Sequence, residues 1–143
     1  MNDDLKSQVI REIEDRHGTF TNELGVAEAA DPDHPFHDEL DWNPDTASHS
    51  YRLIQMGRLV RSVRVVYKPA TPTSGPKTVR GFISLPNPDT PGRHYASVEK
   101  VAADPFLRQL ALADMRRAFN TLKEKYGHFV EFVEMIDGER GAA

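Results

Sequence analysis

The chain has no cysteine among its 143 residues, which excludes disulfide scaffolds, thiol nucleophiles and zinc sites with thiolate ligands. It also has no apolar run near the roughly 20 residues needed to span a bilayer, and its acidic start, MNDDLKSQ, is the opposite of a signal peptide. We therefore expect no membrane segment and a cytosolic location. The length and the 38% hydrophobic content predict one domain with a core of moderate size.

Patterns typical of enzymes are missing as well. None of the six histidines stands in a recognisable arrangement with Ser, Asp or Glu, and Gly75 is followed by neither the Lys-Ser pair nor the helix of a phosphate-binding loop. His34, His37 and His49 lie near several aspartates, but the prolines around His34 break the spacing of a helical ligand pair. Turns and caps are the favoured role for these groups, so we predict no catalytic residue, no metal site and no cofactor.

The net charge of −4 conceals an uneven distribution along the chain. Residues 1–45 hold thirteen acids and three bases, a net charge of −10, whereas residues 46–94 hold eight bases and one acid, a net charge of +7. Within the single domain we therefore distinguish an acidic part (1–45), a basic part (46–94), a C-terminal part (95–137) and a flexible tail (138–143). Such asymmetry indicates either a surface that binds polyanions or two segments that attract each other.

The acidic part is predicted to begin with two helices. Apolar residues recur at helical spacing over 3–16 and, more weakly, over 22–30. The stretch that follows, DPDHPFHDELDWNPD, is rich in proline and acids, which predicts an irregular connection that Phe36, Leu40 and Trp42 anchor in the core.

The basic part joins the clearest amphipathic helix to the clearest strand. A helix over 46–62, capped by Asp45 or Thr46, has one apolar face and one face that is mostly basic. At Val63 the apolar period changes to two, which predicts a strand over 63–68. The elements expected next are a loop over 69–77, a strand over 78–85 that pairs with the first as a hairpin, a turn-rich loop over 86–93 and a short strand at 95–97.

Three helices are predicted after these strands. Ser97 can cap a short helix over 98–103, and Asp104-Pro105 begins a long helix with a strong apolar stripe that ends near Tyr126. An apolar helix over 129–136 follows. The predicted fold class is α+β, with N-terminal helices, a small antiparallel β-hairpin or sheet, and a C-terminal helical hairpin.

The three helices predicted before the strands, over 3–16, 22–30 and 46–62, are followed by a basic hairpin. This is the element order of a winged helix-turn-helix. In this interpretation the central helix faces a groove of duplex DNA, the hairpin is the wing, and phosphate contacts supply most of the affinity. The candidate nucleic-acid-binding residues are Arg52, Gln55, Arg58 and Arg61 on the helix and Arg64, Lys68, Lys77 and Arg80 on the hairpin. The acidic total charge and the long connection before the helix argue against this interpretation.

A second hypothesis is a protein-interaction module, in which the acidic first 45 residues neutralise the basic face of residues 52–80. The C-terminal helices then supply Phe119, Phe129, Phe132 and Met135 for contact with another protein or a second copy of the chain. Packing in the core of their own domain is the commoner role of such side chains.

The run HGTFTNELGVAEAADPDHPFHDELDWNPDTASHSYRLIQMGRLVRSVRV and the later KYGHFVEF resemble a family of small proteins encoded by phages and prophages, notably those of actinobacteria. The resemblance covers most of the chain except its proline-rich loops, and it brings no catalytic residue or ligand with it. It implies a phage accessory protein in the host bacterial cytoplasm, with a role in genome handling and regulation or in binding a host or virion protein. The candidate partners are therefore double-stranded DNA, a host or phage protein, and a second copy of the chain.

Overall fold

A computed structural model describes residues 1–141 and shows an α+β architecture in that part of the chain. This part contains six α-helices, one 3-10 turn (His37–Glu39) and two antiparallel sheets of two strands each. The helices are α1 (Asp3–His17), α2 (Asn22–Ala29), α3 (His49–Ser62), α4 (Val98–Ala103), α5 (Pro105–Tyr126) and α6 (Val130–Gly141). The strands are β1 (Arg64–Lys68), β2 (Lys77–Arg80), β3 (Phe82–Pro86) and β4 (Arg93–Ser97). The predicted fold class is confirmed.

The two N-terminal helices begin and end at their sequence signals. Asn2 is the N-cap of α1, where its side chain accepts a backbone N–H at 2.9 Å, and Asp3 and Asp4 place negative charge in the first turn. Gly18 ends α1 with a φ of 74°, in the left-handed region that favours glycine. Thr21 then caps α2. Both predicted helices are confirmed to within one residue at each end.

The proline-rich connection between α2 and α3 is held by the three predicted apolar anchors. Phe36 and Leu40 are buried and Trp42 is half-buried against the main core. The His37 ring stacks on Trp42 with 5.1 Å between ring centroids, and the indole N–H donates to the His37 carbonyl oxygen at 2.7 Å. The His37 ring itself donates from Nδ1 to the carbonyl oxygen of Ala29 at 2.8 Å. This imidazole therefore organises the turn that follows α2.

The start of α3 was predicted three residues too early. Ser48, rather than Asp45 or Thr46, is the N-cap, and its hydroxyl accepts a first-turn N–H at 3.3 Å. The Thr46 hydroxyl instead donates to the Asp41 carboxylate at 2.9 Å. Local side-chain bonds of this kind compete with helix formation, so the helix begins only after they end.

The predicted strand over 78–85 is two strands that belong to different sheets. β1 pairs with β2 and β3 pairs with β4, both antiparallel. Gly81 stands between β2 and β3 and donates its N–H to the Val63 carbonyl oxygen at 2.9 Å. A Cβ at Gly81 would lie 3.1 Å from Val63 Cγ1, so any other residue at this position would require the Val63 side chain to shift.

The two clusters of buried apolar side chains end before the middle of α5. The main cluster joins α1, α2, α3, the connection and the first residue of β3, and includes the enclosed side chains of Ile10, Phe20, Phe36, Met56 and Phe82. The smaller cluster contains Leu85, Ala96 and Val101, and is covered by Leu107 and Ala111 of α5. The first turns of α5 are therefore attached to the body of the protein.

The predicted C-terminal helices are present. Their aromatic and methionine side chains, however, do not pack in the core. None of the side chains of α5 is buried, and Phe119, Phe129 and Met135 are 42%, 50% and 60% exposed. Phe132 is half-buried beside Tyr126, with 6.1 Å between ring centroids. The reason is geometric, because α5 extends beyond the sheet on which its first turns pack.

α6 continues to Gly141, into the segment 138–143 that was predicted to be a tail, and the last two residues lie outside the described part. No helix within residues 1–141 is long and apolar enough to cross a membrane.

Candidate nucleic-acid interface

The hairpin of β1 and β2 projects from the body of the protein. Every residue from 66 to 80 is exposed, and Val65 is the half-buried residue of β1. Val66 and Tyr67 are 59% and 53% exposed, so even the apolar side chains of this hairpin meet solvent. We call residues 64–80 the basic hairpin.

The register of the basic hairpin places like charges opposite each other. Arg64 pairs with Arg80 at one end, and Lys68 pairs with Lys77 at the other, across an irregularity between Val66 and Lys68. Like charges directly opposite each other in an antiparallel pair are destabilising. The Arg64 guanidinium is held along the hairpin by a 3.1 Å bond to the Thr78 carbonyl oxygen, which uses one of its N–H groups without neutralising its charge.

Two arginines on α3 extend this charge toward the body. Arg58 and Arg61 are exposed and lie on the turns of α3 that lead directly into β1. A Cβ at Gly57 would lie 3.1 Å from Arg61 Nη1, so the arginine folds back over the space that this glycine leaves. We call the six cations Arg58, Arg61, Arg64, Lys68, Lys77 and Arg80 the basic surface.

No cation of the basic surface forms an ion pair with a described acidic side chain. The ion pairs among the side chains of residues 1–138 join other residues, and none includes a member of the basic surface. The sequence explains this, because no acid occurs between Asp45 and Asp89.

Arg52 and Gln55, the other two predicted contact residues, are engaged elsewhere. Arg52 lies over the Trp42 ring at 5.1 Å and donates to the carbonyl oxygens of Asp41 and Ala47 at 3.4 and 3.3 Å. Gln55 Oε1 accepts the Asp41 N–H at 3.0 Å. Both side chains hold the connection against α3, so the structure does not bring them together with the other six.

The acids of the first 45 residues mostly serve other contacts. Glu28 accepts hydrogen bonds from His17 and Arg16, and the bond from His17 is the main reason why the pKa of this carboxyl lies below its usual value. Glu14 is buried and accepts the Ser97 N–H at 3.1 Å, which ties α1 to the end of β4. These carboxylates therefore stabilise the fold rather than covering the basic surface.

The acidic part approaches the basic surface at the start of β1. The Asp3 carboxylate accepts the backbone N–H of Arg64 at 3.3 Å. Asp3, Asp4, Glu12 and Asp15 of α1 line a groove whose other side includes Arg64. Partial neutralisation by the chain's own acids therefore applies at Arg64, at the base of the hairpin.

The eighth base of the basic part, Arg93, is neutralised. It donates to Asp114 of α5 at 3.0 Å, and Arg117 donates to the same carboxylate at 3.2 Å. The bond from Arg93 is the main reason why the pKa of Asp114 is lowered. This cluster fixes the middle of α5 to β4 and removes Arg93 from any anion-binding surface.

An open cavity of about 490 Å³ lies between the turn after α1 and the start of α5. Its lining includes His94, Asn87 and Lys100. His94 Nδ1 lies 2.9 Å from Asn87 Oδ1, and burial lowers the pKa of this imidazole. Lys100 Nζ donates to the Gly18 carbonyl oxygen at 2.9 Å, so its cation is used in holding the turn.

No three of the His, Asp and Glu side chains in the described part are grouped so that they could hold a metal ion. His34, one of the histidines near the aspartates of the connection, accepts the Phe36 N–H at Nδ1 with a distance of 3.1 Å.

A second exposed surface is larger than the sequence analysis proposed. Met115, Leu122, Tyr126 and Val133 are 62%, 42%, 37% and 44% exposed, and none was named as a contact residue. Together with Phe119 and Phe129 they are separated by alternating steps of four and three residues. That spacing is the signal that could have identified them, because it marks a seam between helices.

Comparison with models of known protein families, with curated proteins and with solved structures found no match.

Proposed function

We propose that the protein is a non-enzymatic phage accessory protein that acts in the host bacterial cytoplasm and associates with double-stranded DNA through the basic surface. The observation that carries the proposal is the register of the basic hairpin, which opposes Arg64 to Arg80 and Lys68 to Lys77 on strands that are exposed except at the half-buried Val65. Each such pair costs a few tenths to about 1 kcal/mol in the free protein. Phosphates bound along the hairpin attract both cations of each pair and so offset the repulsion between them.

The position of the arginines on α3 supports the same function. Arg58 and Arg61 continue the positive charge from the hairpin onto the last turns of the preceding helix, as in a wing with its adjacent helix. Arg52 and Gln55 are bound to the connection between α2 and α3, so they do not reach DNA bases. The remaining contacts are those that the long, flexible cations of the basic surface make with phosphates. We therefore expect affinity without strong sequence preference.

A salt titration of duplex binding tests this function. Fluorescence anisotropy with two labelled duplexes of unrelated sequence should give similar affinities that fall steeply between about 50 and 200 mM salt. If all six cations contact phosphates, the slope of log K against log salt approaches about −5. Replacing Lys68 and Lys77 by alanine, or Arg58 and Arg61 by alanine, should each reduce that slope by about two.

The matched control removes two positive charges elsewhere, with Arg16→Ala and Arg108→Ala. An equal loss of affinity in this control would show that net charge alone matters, and absence of binding at low salt would end the proposal. Binding of single-stranded DNA in preference to the duplex would also contradict it.

The exposed surface of α5 and α6 supports a second function, protein interaction. Large side chains in a contiguous exposed apolar patch usually mark a binding surface. On α5, α6 and the turn between them these are Met115, Phe119, Leu122, Tyr126, Phe129, Val130, Val133 and Met135, each at least 37% exposed.

A further inference from the structure

The second half of α5 leaves the body of the protein. Leu107 and Ala111 pack on the smaller core cluster, and the Asp114 carboxylate binds Arg93. From Met115 to Gly138 no side chain is buried. Twelve residues of α5, 115–126, therefore form a free helical arm, and α6 adds another twelve.

The free arm carries an apolar seam that begins one turn before it, and α6 carries apolar residues at the same spacing. On α5 the members Leu112, Met115, Phe119, Leu122 and Tyr126 alternate in steps of three and four residues, and on α6 a step of three separates Val133 from Ile136. A seam with this period lies along one side of a helix and is typically covered by a second helix. Leu122, Tyr126, Phe129, Phe132 and Met135 line an open groove where α5 meets α6.

The first half of α6 is largely apolar. Residues 130–136 contain five apolar side chains, interrupted by Glu131 and Glu134. A helical segment with so few polar side chains is normally covered on more than one side. Here Phe132 and Ile136 are half-buried, while Val130 and Val133 remain 65% and 44% exposed. The turn to its own α5 thus covers one side of α6 and leaves another open.

The charges on the two helices are complementary. The free part of α5 carries four bases, Arg116, Arg117, Lys123 and Lys125, and one acid, Glu124. The described side chains of α6 include Glu131, Glu134 and Asp137 and no base. Packing α5 against α5, or α6 against α6, would oppose like charges, whereas packing α5 against α6 opposes unlike ones.

We propose that the occupant of this surface is a second copy of the chain, with α6 of each protomer packed on the free arm of α5 in the other. The inference rests on the protein-interaction function and names its partner. The two segments match in length, since twelve helical residues span about 18 Å. The reciprocal arrangement gives a closed two-fold dimer, in which Met115 and Phe119 are covered by the partner's Val130 and Val133.

The experiment measures the mass of the full chain in solution by sedimentation, without DNA. The wild type should have twice the 16.1 kDa mass of one chain. Two charge-reversed variants are compared with it, one with Lys123→Glu and Lys125→Glu and one with Glu131→Lys and Glu134→Lys. Each variant alone brings like charges together across the interface, so its dissociation constant should rise about tenfold or more.

The decisive sample is an equimolar mixture of the two variants. In the mixed dimer an acidic α5 meets a basic α6, and a basic α5 meets an acidic α6, so association should return to the wild-type level. If α6 only folded back on its own α5, mixing would restore nothing. The control variant, Asp33→Lys with Glu39→Lys, reverses two exposed acids of the connection and should leave the dimer intact.

All four substituted positions are exposed, so we expect each variant to keep its helices. Circular dichroism of each variant verifies this. A wild-type chain that stays monomeric across the concentration range overturns the inference, as does a mixture that fails to associate. Neither result bears on DNA association, because that function is tested with separate variants in the basic surface.

Discussion

At the scale of single residues, Gly25 shows how closely α2 and α3 approach. A Cβ at this position would lie 2.8 Å from Met56 Sδ and 2.9 Å from Phe20 Cζ. Both neighbours are fully buried, so neither can move aside without disturbing the main core. In the sequence, a glycine within a helical segment indicates only a weaker helix. Its packing role depends on Met56, 31 positions further along the chain, and no local pattern reveals it.

We predict that Gly25→Ala destabilises the protein by about 1 to 3 kcal/mol, because overpacking outweighs the gain of up to about 1 kcal/mol in helix propensity. Gly57→Ala is the matched control on α3, since its new Cβ meets only the flexible ends of Arg61 and Asn22. Urea denaturation should show this control to be neutral or more stable than wild type. Equal stability of the two variants would contradict the packing argument.

At the scale of elements, local signals account for those boundaries that were predicted well. α5 begins at Pro105 because the Asp104 carboxylate accepts two first-turn N–H groups, and both residues stand next to each other in the sequence. The break at Gly81 depends instead on its bond to Val63, which belongs to a different element. The pairing of Lys68 with Lys77 likewise depends on the irregularity between Val66 and Lys68.

An alternative role for the charges of the basic hairpin is to protect its exposed edges from pairing with other strands. Arg80→Glu separates the two roles, because it keeps a charge on the edge but replaces a like-charge pair by an opposite one. We predict a gain in stability of a few tenths to about 1 kcal/mol together with a loss of DNA affinity. Arg80→Gln should lie between the two forms in both measurements. A stabilised variant with unchanged DNA affinity would favour edge protection.

At the scale of the whole molecule, the sequence predicts only in part which side chains are used within the fold and which remain free to bind a partner. The basic part was evident from composition, but which of its bases are free depends on tertiary partners. Arg52 is held by Trp42 and Arg93 by Asp114, and neither partner is on the same element. The apolar stripe of α5 was equally evident, but whether it packs inward is decided by where the sheet beneath it ends.

We predict that a chain shortened to residues 1–118 unfolds cooperatively, with a thermal midpoint within about 5 °C of the full chain. Both core clusters and the Arg93–Asp114 contact are retained, so the lost helices contribute little to the body. Calorimetry measures the transition, and sedimentation should find this chain monomeric. Loss of the cooperative transition would mean that residues 119–141 cover the body after all.

The contacts between the first helices and β4 also constrain folding during synthesis. Tyr95 N–H donates to the Phe20 carbonyl oxygen at 2.7 Å, and Ser97 N–H donates to the buried Glu14 carboxylate at 3.1 Å. The N-terminal helices, although made first, therefore cannot complete their packing until residue 97 has left the ribosome. The C-terminal helices emerge after residue 97, when the body that carries them can already have closed, and their apolar seam is then free to meet another newly made chain.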